Sequence, residues 1–177
     1  MRTIVVGLCI VGVGCGGQAL NSPTSPSPAA SMSTASLTRV SAASPTSDRL
    51  PFRGELTAQE TDVVTFPTLL ADGEAEGTAT HLGRYAATFH ATVNVLDGTA
   101  TGTYTFTAAN GDQLFSTFTG LGVPAGGTLS NIVETLTITG GTGRFAGAGG
   151  TLTVRRTIDL ATGASSGSIE GRITMQH

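Results

Sequence analysis

The chain has 177 residues and a formal net charge of −3; 12% of its residues are charged, all nine cations are arginine, and it holds 25 Gly, 30 Thr, no Trp and nine aromatics. Scarce, unclustered cations exclude a polybasic nucleic-acid binder, and the absence of Lys with so little charge excludes a long helical bundle. Abundant Thr and Gly predict short strands joined by tight turns, in one domain of ordinary size.

Residues 1–15 read as an export signal. Met1-Arg2 gives a minimal positive start and Thr3 to Val13 an apolar run, shorter than the ~20 residues that a permanent membrane helix needs. The run ends in Gly12-Val13-Gly14-Cys15, similar to a bacterial lipobox, although Gly12 stands where an aliphatic residue is usual. Lipidation at Cys15 is the expected outcome, with a plain signal cut after Gly17-Gln18-Ala19 as the alternative. Cys9 leaves with the signal either way, so the mature chain has no intramolecular disulfide. Residues 16–49 are rich in Ser, Thr, Pro and Ala, lack aromatics and carry few charges. Such a segment buries too little apolar area to offset its ordering entropy, so a disordered tether is expected. As a coil it would span roughly 30–35 Å. An exported, lipid-anchored envelope protein follows, with the outer membrane favoured and a periplasmic or secreted form as the alternative.

All nine aromatics lie beyond Leu50, so the folded domain is placed at 50–177. Its alternation has period two. Eight strands are predicted near 52–64, 73–80, 85–96, 99–108, 112–121, 131–139, 150–160 and 167–175. Tyr85, Ala87, Phe89, Ala91, Val93 and Val95 share one face, while Thr88, His90, Thr92 and Asn94 share the other. Asp97-Gly98 suits a two-residue type I′ turn, setting Phe89 opposite Phe106 and Ala91 opposite Tyr104. Ala109-Asn110-Gly111 suits a three-residue loop that sets Phe106 opposite Leu114. Gly163-Ala164 suits a type II′ turn, setting Val154 opposite Ile173 and Ile158 opposite Ile169. Eight antiparallel strands with one continuous apolar face are best satisfied by closing into an all-β, up-and-down barrel, which removes exposed edges. A two-sheet β-sandwich is the alternative.

Ile138 to Val154 reads Ile-Thr-Gly-Gly-Thr-Gly-Arg-Phe-Ala-Gly-Ala-Gly-Gly-Thr-Leu-Thr-Val. This resembles the glycine-rich hairpin of plant allene oxide cyclases and dirigent proteins, at Gly140, Gly141, Thr142, Gly143, Phe145, Ala148 and Gly150. The resemblance implies an eight-stranded antiparallel barrel, usually trimeric, with an apolar cavity, and a homo-oligomer of this chain. It implies that Phe145 plugs one barrel end, and it carries none of those enzymes' catalytic acids or bases onto this chain. Segments 79–84 and 108–112 also resemble uncharacterised exported bacterial proteins with this hairpin.

Three further patterns carry no chemistry. Thr139 to Gly143 lacks the glycine spacing and following helix of a dinucleotide-binding turn. Gly163-Ala164-Ser165-Ser166-Gly167 joins two strands, whereas a nucleophile elbow joins a strand to a helix. His81, His90 and His177 offer no metal-ligand spacing, and His90 falls on the threonine face, so neither metal nor cofactor is expected.

One constellation stands out. If β-strands near 131–139 and 150–160 pair so that Ile138 faces Leu152, Glu134 faces Arg156, the only charges on that apolar face. Gly171 would then sit opposite Arg156 and leave it room. Tyr85, Tyr104 and Ser116 share the inward set as hydroxyl donors, and Phe89, Phe106 and Phe118 line or fill the lumen. Arg156 could hold a carboxylate head group, with Glu134 as its resting partner or as an acid or base. Of the two readings the favoured one is a structural ion pair near one mouth. On the outer face, Arg155 and Arg172 are expected as cross-strand neighbours, with Glu170 diagonal to Arg155. The expected function is a non-catalytic barrel that binds a small apolar molecule or serves as an envelope module; a cyclase- or isomerase-like enzyme is the alternative.

Overall fold

Alternate positions of each strand are either small or apolar inside and Thr or charged outside, and this fixes which face turns inward. The computed structural model describes residues 49–176. The signal-like segment and residues 16–48 lie outside these, as does His177. The strands are β1 (Arg49–Thr65), β2 (Thr68–Ala79), β3 (Gly83–Asn94), β4 (Thr99–Ala108), β5 (Gln113–Gly126), β6 (Leu129–Gly141), β7 (Gly149–Asp159) and β8 (Ala164–Thr174). Each pairs antiparallel with its neighbour in sequence, and β8 returns to β1 from Arg49 opposite Thr174 to Gln59 opposite Ala164, closing the barrel. That closure realises the expected architecture and rules out the sandwich. The described residues contain no α-helix, only a 3-10 turn at Gly143–Phe145.

The turns divide into one correct expectation and two corrections. Residues 109–111 form the expected three-residue loop, with Gly111 at φ 88° and Phe106 opposite Leu114. Between Asn94 and Thr99, however, the loop has four residues rather than two. Asn94 Oδ1 accepts the Leu96 N–H at 3.0 Å, and Asp97 Oδ1 accepts the Thr99 N–H at 2.9 Å and hydroxyl at 2.7 Å. Gly98, at φ 73°, donates back to the Asn94 carbonyl. Phe89 consequently faces Tyr104, and Ala91 faces Gly102. The loop at 160–163 repeats this device: Asp159 Oδ1 accepts the Ala161 N–H, Thr162 Oγ1 accepts the Ala164 N–H, and Gly163 has φ 72°. Val154 therefore faces Ile169, and Ile158 faces Ser165.

β6 and β7 are likewise offset by two from the expected register, with Leu136 opposite Leu152, Glu134 opposite Val154 and Ile132 opposite Arg156. Gly167, not Gly171, faces Arg156 across β8. On the outer face, Arg155 faces Ser168 and Arg172 faces Thr151, so the two arginines are not cross-strand neighbours. Arg155 does approach Glu170, at 4.0 Å. All these offsets are even, and even offsets preserve which face turns inward.

The interior is layered along the barrel axis. The end carrying loops 80–82, 109–112 and 142–148 is closed by Phe52, Leu82 and Phe145, each at most 2% exposed. Phe145 thus occupies the plugging position. The middle is an aromatic stack in which Tyr104 lies 5.1 Å from Phe89, 5.4 Å from Phe106 and 5.3 Å from Phe118, centroid to centroid. Glycines opposite make the room: a Cβ on Gly73 would lie 2.0 Å from the Phe89 ring, and one on Gly102 2.5 Å from that of Phe118. Alternating large and small residues across strands is how a narrow barrel fills its interior. At the other end, β1 overhangs β8 beyond Gln59, and β5 overhangs β4 beyond Leu121.

Candidate functional site

Charge enters the interior just above the aromatic stack. Arg156 on β7 points inward because Val154 and Ile158, two residues to either side, are core residues with no exposure. Its Nη1 donates to Glu60 Oε2 at 2.8 Å and to Ser165 Oγ at 3.1 Å, and its Nη2 donates to Glu134 Oε1 at 3.2 Å. Its guanidinium carbon lies 5.1 Å from the centroid of the Phe89 ring, a cation–π contact. Glu134 Oε2 accepts the Tyr104 hydroxyl at 2.8 Å. The side chains of Arg156, Glu60 and Glu134 are 4%, 6% and 2% exposed. Glu134 and Arg156 thus meet diagonally rather than face to face.

Glu60 and Ser165 were not singled out as site residues by sequence reasoning. Glu60 has a signal, since it shares parity with Phe52, Leu56 and Ala58, which turn inward. Its pairing carries no local signal, because β1 lacks a nearby turn with a diagnostic sequence. Ser165 lies in the Gly-x-Ser-x-Gly run, where it serves as an acceptor for Arg156.

Two carboxylates share one guanidinium, so the cluster carries an excess negative charge when both are ionised. Burial alone would lower the pKa of Arg156, but Glu134, Tyr104 and Glu60 together outweigh it and raise the value, keeping the guanidinium charged. Burial raises the pKa of Glu60 despite Arg156 beside it, and raises that of Asp62 at the mouth. Tyr104 is held well above the ordinary phenol value by burial and by the charge of Glu134. Charges placed this deeply are costly unless fully partnered. Two buried polar atoms of the inward set lack a hydrogen-bond partner, Arg156 Nε and Ser116 Oγ.

Above this layer a cavity of about 440 Å³ opens at the mouth. Leu69, Ala91, Val93, Ala100, Ile132 and Ile158 line its walls, with Glu60, Glu134 and Arg156 in its floor. Hollows of about 580–640 Å³ also lie between side chains of the outer face. The mouth cavity differs from them in combining apolar walls with converging buried polar groups, the usual constitution of a small-molecule site.

The remaining candidates lie deeper. Phe89 sits beneath Arg156, and Tyr104 reaches the floor through its hydroxyl. Phe106, stacked on Tyr104 at an interplanar angle of 11°, and Phe118 belong to the stack below. Tyr85 points toward the closed half, where its hydroxyl donates to the Glu55 carbonyl at 3.0 Å, and burial pushes its pKa up to about 12. Ser116 is buried opposite Tyr104. Of the predicted site residues only Glu134 and Arg156 line the cavity; Tyr85, Phe89, Tyr104, Phe106, Phe118 and Ser116 do not. Cys15 lies outside the described residues. His90 stands on the outer face paired with Asp72, and no group of three metal-ligating side chains occurs among the described residues.

Compared with known proteins, the chain matches no family model, no curated protein and no solved structure.

Proposed function

We propose that this barrel binds a small, largely apolar molecule in its mouth cavity, as an exported protein held at the envelope by lipid on Cys15. The observation that carries the binding reading is an apolar-walled cavity of about 440 Å³ ending on a buried Glu60–Arg156–Glu134 floor. The floor also selects. Arg156 already holds two carboxylates, so an incoming acid would meet surplus negative charge, whereas a neutral or cationic hydrogen-bond donor would find carboxylate acceptors. The ligand is therefore an apolar alcohol or amine rather than a fatty acid.

Mass spectrometry of the protein purified from its own host tests both parts, reading a co-purifying small molecule and a diacylglycerol on Cys15. Titration with a straight-chain alcohol, amine and acid of equal length should rank the acid last. Ala91→Phe, which fills the cavity, should abolish binding. Equal binding by that variant, or preference for the acid, would remove this reading.

A second reading, a cyclase- or isomerase-like enzyme, is favoured by one observation. Glu60 sets a buried carboxyl in the cavity floor, and its burial raises its pKa. Under that reading Glu60→Gln retains binding and loses turnover of the co-purifying molecule, while retained turnover sinks it.

A further inference from the structure

The exposed apolar residues are not scattered. Among the described residues, all eleven large apolar side chains with substantial exposure lie in the mouth half of the barrel, and none of these eleven lies at the plugged end. Three of the mouth-end loops carry them directly: Phe66, at the turn between β1 and β2, is 73% exposed, Leu96 68% and Leu160 58%. Behind these tips, Val63 pairs with Leu70 on the outside of β1–β2, and Leu121 with Val133 on the outside of β5–β6. These two hairpins stand on opposite sides of the ring.

Positive charge is concentrated toward the other end. Of the seven arginines among the described residues, Arg49, Arg53, Arg84, Arg144 and Arg172 lie toward the plugged end. The mouth carries Asp62, Asp97 and Asp159, with Arg155 beside Val133 on its outer flank, while at the plugged end Asp112 pairs with Arg144.

From this distribution we infer that the mouth is a membrane-docking surface, on which the barrel stands end-on with its hairpin tips in the interface of an uncharged or zwitterionic bilayer. A second copy on one flank would cover β1–β2 or β5–β6, but not both. A planar apolar phase covers every tip of the ring at once. Acidic residues among the tips disfavour anionic lipid, which would attract the arginine-rich end. The chain joins β1 at the plugged end, and about 34 residues separate Cys15 from Arg49, reaching up to ~110 Å when extended. That length lets the mouth turn toward the surface that would hold a Cys15 anchor. The docking surface does not depend on occupancy of the cavity.

The absence of tryptophan provides the test. Single-tryptophan versions of the full chain would carry Leu96→Trp, Leu160→Trp or Ala109→Trp, the last in the exposed loop at the plugged end. Each would be mixed with phosphatidylcholine vesicles brominated in their acyl chains. The two mouth tryptophans should shift to shorter wavelength and lose at least about half their emission, with the Ala109→Trp variant unchanged. Because depth is read at each tip, an attached leader or anchor cannot mimic the result. No quenching at the mouth, quenching at one tip alone, or equal quenching of Ala109→Trp would overturn the inference. So would a blue shift without vesicles accompanied by a doubled mass, which would mark a second copy as the occupant. Loss of cavity binding in Ala91→Phe with quenching intact would leave docking standing and separate it from the ligand reading.

Discussion

Arg156 is the residue on which the interior charge depends. Removing it alone, as in Arg156→Met, leaves Glu60 and Glu134 buried beside each other without a cation. A loss of about 3–5 kcal/mol is expected, measured by urea unfolding at neutral pH. The triple variant Glu60→Gln, Glu134→Gln, Arg156→Met should recover most of it, because no charge is left unpaired. A double replacement of Glu134 and Arg156 would not suffice, since Glu60 would remain. Glu60 also predicts a pH dependence. Its pKa in the folded state is raised above the ordinary 4.5, so the folded protein binds this proton more tightly than the unfolded chain. Stability from this group is present at low pH and falls as pH rises from about 4.5 through the raised value. Unfolding measured across that window should show the decline, and Glu60→Gln should flatten it. Glu134 and Arg156 were legible in the sequence as isolated charges on an apolar face. Glu60 shows the same inward parity on β1, but its partnership with Arg156 is not legible, because the two are nearly a hundred residues apart and no local pattern specifies the pairing.

At the scale of elements, strand existence and facing were legible and register was less so. Asp97-Gly98 carries the sequence of a two-residue turn, yet Asn94 and Asp97 each capture a backbone N–H two residues ahead and stabilise a longer loop. Face parity could not expose the error, because even offsets leave every apolar residue inside. At 109–111 the register is the expected one, with Gly111 in the left-handed position. Packing between elements yields a sharper prediction. Gly73→Ala would drive a methyl into the Phe89 ring, and a loss of about 3 kcal/mol is expected from thermal or urea unfolding. Combining it with Phe89→Leu should restore part of that loss, as the smaller side chain vacates the contact.

Across the whole molecule, the plug, aromatic stack, charged floor and apolar mouth succeed one another along one axis. The architecture was readable because barrel closure is the general solution for eight strands with a single oily face. The layering was not, since which rings fill the lumen and which merely line it depends on the register between strands. The structure places the filling in the lower half and leaves the mouth open.

The pairing of β8 with β1 has a consequence for connectivity. Arg49 sits opposite Thr174 in the register, so the first and last strands run side by side at the plugged end, and the ring has no privileged starting strand. A circular permutant that joins these ends by a short linker and opens the chain at Asn110 should fold to the same barrel, with the far-ultraviolet circular dichroism of the parent. If it stayed unfolded, the order in which the strands leave the chain, and not only their final neighbours, would be a requirement of this fold.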